Sequence, residues 1–342
     1  MLEQILLGTY TRRVSKGIYQ IALDMDRACL TQTQLVIEEN SPTYLALNSQ
    51  QELFNVTSVD GDGGMAAYQI ENDQYVLRNK VSEAGAPPCY VAIDEEKQLV
   101  FGANYHQGII HVYRISADGR LEDADKVRHT EPTGPHKNQD HPHVHYTDLT
   151  PDRRLAVCDL GTDRVYTYDV SNAGKLTEVA QYQAEPGTGP RHLVFHPNGQ
   201  LAYVFGELDS TISVLAYDQA SGSFTQLQKI STLPEDFHEF NGGAAIRITS
   251  DGRFVYASNR GHNSIAVFAT TDNGQAIERI QLISTEGAIP RDFALDPSEQ
   301  FVVAANQDSD NLTLYRRNQN NGRLTMIQKD VYAPECVCVY FK

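Results

Sequence analysis

The sequence predicts an all-β fold, and three observations predict it. Six segments repeat one pattern: a short apolar run, a polar turn, then a second apolar run. Their turn positions are Ser49, Glu95, Pro151, Pro197, Ser250 and Pro297, spaced 46, 56, 46, 53 and 47 residues apart. The runs are rich in β-branched and aromatic residues at period two, and no segment carries a 3.6-residue stripe. The two chain ends are complementary fragments of the same pattern. Four strands in each repeat of about 46 residues is the signature of a β-propeller blade.

Each repeat can be read in order. "PPCYVAIDEEKQLVFGANY" and "GPRHLVFHPNGQLAYVFGEL" give a first strand, a turn and a second strand. "GIIHVYRI", "RVYTYDV", "TISVLAYD", "SIAVFAT" and "NLTLYRR" give third strands, and runs such as "KLTEVAQYQ" give fourth strands. The N-terminus supplies "ILLGTY", "GIYQIAL" and "LTQTQLVIEE", matching second, third and fourth strands without a first. The C-terminus supplies "APECVCVYF", a first strand without a sequel, with Pro334 one repeat (44 residues) after Pro290. Six full blades and one composite blade give seven four-stranded antiparallel blades. The C-terminal strand joins the N-terminal blade and so removes free sheet edges. The expectation is one domain over 1–342. With no Trp in the chain, the WD-repeat subclass is not expected.

Composition narrows the function. Lys and Arg total 28 against 44 Asp and Glu, a net charge of −16. Such a surface repels phosphate backbones and anionic lipid, so neither nucleic acid nor a membrane is expected as a partner. No apolar run approaches the ~18 residues of a membrane span. The first residues lack a basic leader. The five cysteines show no CxxC spacing and sit mostly in apolar runs. They read as reduced residues of a cytoplasmic protein. A closed ring with an acidic surface is consistent with a monomer.

"GPRHLVFHPNGQLAYVFGELDSTISV", "DGRFVYASNRGHNSIAVF" and "IPRDFALDPSEQFVVAANQ" resemble the seven-bladed lactonase family. That family includes propeller-type 6-phosphogluconolactonases and carboxymuconate lactonising enzymes. The similarity covers Leu6 to Phe341. It implies a cofactor-free hydrolase of carbohydrate metabolism acting on a small anionic sugar lactone. The leading candidate is 6-phospho-D-glucono-1,5-lactone of the pentose phosphate pathway. A carboxymuconate-type cycloisomerase and a non-catalytic binding propeller are the alternatives, because fold does not fix function.

The polar residues at the ends of the inner strands are the candidates for chemistry. First strands begin with His143 and His145, Arg191 and Arg291. Second strands end with Asn104, Asp159, Glu207, Asn259 beside Arg260, and Asn306. Several buried Arg with few acids beside them call for an anionic guest. The resemblance carries a catalytic set onto His145, Arg191, Glu207 and Arg260, and leaves His143, Arg291, Asn104, Asp159, Asn259 and Asn306 for substrate binding. A neutral His or an ionised Glu can take a proton from water attacking a lactone carbonyl. An Arg can stabilise the oxyanion. Further Arg can grip a phosphate or carboxylate. Arg191, Arg260 and Arg291 share those two roles. A salt bridge from Glu207 to Arg191 is the structural alternative, and it would leave His145 as the stronger base.

"DHPHVHYTDL" sets His141, His143 and His145 at alternate positions, which on one strand would share a face and could suit zinc. The repeat weighs against a metal. His145 lies six residues before Pro151, as Arg191 lies six before Pro197, so His145 is the inner residue. His143 becomes its neighbour, and His141 and His136 fall in an inserted loop. His192 packs within its own blade. "PEDFHEFNGG", with His238 and Glu239, is a second insertion and reads as a solvated loop. "VDGDGG", with Asp60 and Asp62, lacks the spacing of a calcium loop and reads as a turn. No metal or other cofactor is expected.

Overall fold

The computed structural model describes residues 1–72 and 74–342. It contains β-strands and a single 3₁₀ turn at Asp272–Gly274, with no α-helix among the described residues. Among the described residues no helix is long and apolar enough to cross a membrane. The strands form seven antiparallel sheets. Six follow simple order, each strand paired with the next. The seventh is the composite. The C-terminal strand Cys336–Phe341 pairs with Leu2–Thr9, which pairs with Gly17–Asp24. Its outer strand is broken into Cys29–Leu30 and Gln34–Glu38, both on Gly17–Asp24, with the Thr31 hydroxyl accepting the Ala22 amide between them. The sequence expectation of one continuous run there is corrected to two short pieces.

Burial explains the sequence pattern. The second strands Leu99–Asn104, Leu201–Gly206 and Phe301–Asn306 are buried at every position. A strand covered on both faces reads as a near-continuous apolar run. Outer strands such as Leu121–Arg128 and Leu324–Tyr332 are largely exposed and carry the charge. "VDGDGG" is a tight hairpin turned by Asp60 and Gly61, with φ of 52° and 95°. Two positive φ values in a two-residue turn suit Asp-Gly.

Backbone packing divides the chain into two compact units. One comprises 1–38, 192–216 and 226–342; the other comprises 39–191 and 217–225. In the first, Ile5, Leu7, Val303, Leu314 and Cys336 pack between the composite sheet and its neighbour. Tyr256, Phe293 and Tyr315 fill the next interval, and Phe205, Ile246 and Phe268 the one after. In the second unit Phe54, Met65, Val100 and Tyr113 do the same. Burying each such side chain contributes about 1.5–3 kcal/mol. All five cysteines are free thiols.

A buried carboxylate pins each unit. Glu39 accepts hydrogen bonds from Lys80, Thr57 and Tyr68, each at 2.6 Å, and from the Asn40 amide at 2.9 Å. In the other unit Glu335, on the chain just before the C-terminal strand, accepts the amides of Arg12, Arg13, Val14 and Ser15 at 2.9–3.1 Å. It therefore orders the loop behind the N-terminal strand. Burial raises the Glu335 pKa, but these amides outweigh it and hold the carboxyl below its ordinary value. A depressed carboxyl contributes stability above its unfolded pKa of about 4.3 and loses it as pH falls through the folded value. Glu335→Gln is expected to cost about 2–4 kcal/mol at pH 7, from weakened charge-assisted bonds and one unsatisfied amide. Urea unfolding should show that deficit shrinking below about pH 4. An unchanged midpoint at pH 7 would contradict the role given to Glu335.

Candidate active site

The first strands do not begin regularly. Val144 pairs with Asp159 and Tyr146 with Cys158, so His145 is an extra residue in its strand. Pro290 pairs with Asn306 and Asp292 with Ala305, so Arg291 is extra in the same way. Cys338 pairs with Gly8 and Cys336 with Thr9, which makes Val337 the equivalent. A β-bulge bends the strand and re-aims the extra side chain. His145, Arg191 and Arg291 each lie six residues before the following turn position. The same offset gives Thr43, Cys89 and Ala244 in the other repeats. Three of these positions are thus basic and the rest small or apolar. His145 and Arg191 are 4% and 2% exposed.

The segment before each bulge is clamped by the preceding repeat. After the second strand the chain turns through a residue with positive φ: Asp163 (54°), Asn263 (52°) and Asp310 (54°). Asp and Asn tolerate this conformation better than other side chains. Each then reaches the amide two residues before a bulge position. Asp163 accepts from Gly189 at 2.7 Å, and from Gly187 at 2.7 Å. Asn263 accepts from Ile289 at 2.9 Å, and Asp310 from Glu335 at 2.7 Å. Before His145 the device is reversed. The turn residue is Gly108, and His143 instead sends its ring back to the preceding repeat.

That ring is fixed at both nitrogens. His143 Nδ1 donates to the Tyr105 carbonyl at 2.8 Å, and Nε2 lies 3.0 Å from Asp140 Oδ1. Tyr105 stacks on His143 at 4.1 Å and meets His145 edge-on at 5.8 Å. The strand starts only at Val144, so His141 and His143 precede it. The three histidines do not share one strand face. His141 packs against His143 at 4.0 Å, while the bulge sends His145 elsewhere.

The ends of the second strands split into two kinds. Asn104, Asp159, Asn259 and Asn306 are at most 1% exposed, and their side chains bond neighbouring chain segments. Asn104 donates to Ala86, and Asn306 to Thr285. Asn259 accepts from Thr232 and Asn241. Asp159 accepts the amides of His143 and Thr162, and His129 Nδ1 at 2.6 Å. The second kind is less buried. Arg260 Nη2 lies 2.9 Å from Glu207 and donates to the Gly243 carbonyl at 2.8 Å. At the start of a first strand, half-buried Arg291 lies 5.6 Å above the Tyr10 ring, with Arg12 3.8 Å from the same ring.

The sequence reading did not single out Tyr105, Asp140, His129, Tyr10 or Asp163. Of these, Asp163 carried a signal, because an Asp or Asn recurs at the same distance after the second strand in two other repeats. His136 sits in the inserted loop, where its amide donates to Gln139. His238 and Glu239 are exposed.

The chain belongs to the family described as "Lactonase, 7-bladed beta-propeller", whose model matches residues 4–341. Its seven sheets are the seven blades. Among its relatives is the 6-phosphogluconolactonase of Bacillus subtilis, 41% identical over 340 residues, covering 98% of this chain and 97% of that protein. Among solved structures it is similar to a protein from Lactobacillus plantarum, with 52% identity, complete coverage of both chains and a TM-score of 0.98. It is also similar to the periplasmic gluconolactonase of Pseudomonas aeruginosa, with 29% identity, 100% and 99% coverage and a TM-score of 0.93.

The clamp before Arg191 is open to test. Asp163→Ala strands the Gly187 and Gly189 amides, and should lower stability by about 2–4 kcal/mol by denaturant titration. Asp163→Asn keeps one acceptor oxygen and should lose less. Equal losses in the two variants would show that the side chain fills space rather than holding the amides.

Proposed function

We propose that the protein hydrolyses a sugar δ-lactone, 6-phospho-D-glucono-1,5-lactone first among them. The observation that carries this is the full-length relationship to the B. subtilis protein named 6-phosphogluconolactonase. The basic residues His145, Arg191 and Arg291, each six positions before a turn, in a chain of net charge −16, support an anionic substrate. In this reading His145, neutral, accepts a proton from water as the water oxygen bonds to C1 of the lactone. The carbonyl π pair moves to oxygen, and Arg191 stabilises that oxyanion. Collapse re-forms the carbonyl and breaks the bond from C1 to the ring oxygen. The ring oxygen takes the proton from His145, and the new acid ionises to the aldonate.

Arg260 and Arg291 are the candidates to hold the phosphate, since a guanidinium matches its geometry. Glu207 orients Arg260 through their ion pair. Asn104, Asp159, Asn259 and Asn306, bonded to backbone or neighbouring side chains, take positioning roles, as does His143. The reading also expects a cytoplasmic enzyme, matching the use of a phosphorylated sugar.

Freshly prepared lactone, with acid release followed against spontaneous opening, tests the activity. No rate above the spontaneous one would end the proposal. His145→Ala is expected to lower kcat by about 10²–10⁴-fold. Arg191→Ala is expected to lower it by about 10²–10³-fold. Arg260→Ala should raise KM for the phosphorylated lactone more than for glucono-1,5-lactone. Equal changes for both would remove the phosphate from its role. Full activity in His145→Ala and Arg191→Ala would leave the reaction standing and overturn this site.

A further inference from the structure

We propose that Asp140, His141 and His143 form a binding site for a zinc-class divalent cation; His143 alone of the three also has a positioning role in the lactone reading, and the cation site does not depend on that role. One ligand atom from each residue lies within 4.8 Å of the others. His141 Nδ1 and His143 Nε2 both point at Asp140 Oδ1, at 3.1 Å and 3.0 Å. Ligands about 2.0–2.1 Å from a tetrahedral zinc stand at about this separation from one another.

The far side of each ring carries the argument. His143 Nδ1 faces the Tyr105 carbonyl at 2.8 Å, and His141 Nε2 faces the His106 carbonyl at 3.0 Å. A carbonyl only accepts, so each far nitrogen holds the ring proton. The near nitrogen of a neutral ring then presents a lone pair. Two lone pairs and a carboxylate oxygen converge on one point, and all three are donors to a cation. A metal-bound histidine normally gives its other N–H to a carbonyl or carboxylate, which fixes its tautomer and orientation. Two consecutive carbonyls do so here.

Protons alone satisfy the cluster less well. Each ring would need a second proton to bond Asp140, placing two imidazolium rings 4.0 Å apart at their centroids. Like charges that close oppose one another. One dication meets all three donors and leaves both rings neutral.

The segment is also built to stay in place. A Cβ on Gly161 would stand 2.0 Å from the His141 carbonyl oxygen and 2.7 Å from the His143 amide. The His143 carbonyl accepts the Leu160 amide, and Gln139 donates to the Leu160 carbonyl. Two imidazoles and one carboxylate select a zinc-class ion over calcium or magnesium, which take oxygen ligands. Three protein ligands leave a position open for solvent, and Asp140 is exposed.

The test is calorimetric titration of Zn²⁺ into the chelator-treated full chain, without substrate. One ion per chain is expected, bound at micromolar concentration or tighter, and weakened at least tenfold in both His141→Ala and Asp140→Ala. Co²⁺ should give the visible absorption of a tetrahedral nitrogen–oxygen site and lose it in the same variants. His136→Ala, in the same loop, is the control and should bind like the wild type. Circular dichroism checks that each variant is folded. A wild-type chain that takes up no Zn²⁺, or binding that survives His141→Ala unchanged, overturns the proposal. Neither result bears on lactone hydrolysis, which is measured separately.

Discussion

The side chain that leaves a left-handed turn and seizes the start of the next repeat is the contact on which the rest depends. Asp163, Asn263 and Asp310 each hold the amide two residues ahead of a bulge position. A bulge gives up ladder bonds and re-aims one residue. Left alone, such a segment would sample several conformations. With the preceding amide fixed, the extra residue has a defined direction. The same contact lets positions such as Arg191 and Arg291 carry large charged side chains where Thr43 and Ala244 stand in other repeats. Function is therefore assigned by side-chain identity at a position that the repeat has already built.

The clamp has a second consequence at the chain ends. Glu335 gives its amide to Asp310 and its carboxylate to four amides of the N-terminal loop. One residue thus couples the regular clamp to the composite blade. Its φ is 48°, an unusual conformation for Glu. That cost is outweighed by five hydrogen bonds, most of them to a charge. Backbone strain here supports closure of the blade rather than chemistry.

Much of this was legible in the sequence, for a physical reason. Blade strands buried on both faces force contiguous apolar runs, and the runs recur because each blade must cover the last. The incomplete ends followed from the same count. The offset of six residues before the turn also picked out His145, which stands at a bulge. The bulge did not show, because an extra residue in a strand of five or six leaves no change in periodicity that so short a run can register. Glu207 forms an ion pair with Arg260, 53 positions along the chain. Spacing within a hairpin cannot reveal a partner contributed by the next blade. Asp140 was invisible as a ligand for the same reason: only the carbonyls of Tyr105 and His106, from another repeat, turn the two rings toward it.

The alternate histidines illustrate how far a motif depends on its backbone. On a regular strand, His141, His143 and His145 would face one way. Here Pro142 keeps the first two off the ladder, and the bulge separates the third from them. His143 then substitutes its own ring for the clamp that Gly108 cannot supply. Having spent Nδ1 on the Tyr105 carbonyl, it presents Nε2 to Asp140. His145, one residue past Val144, is released from that arrangement and buried against the edge of Tyr105. One short stretch thus yields a histidine suited to proton transfer and a pair suited to a cation. Gly108, by leaving its turn without a side chain, is what allows the two to differ.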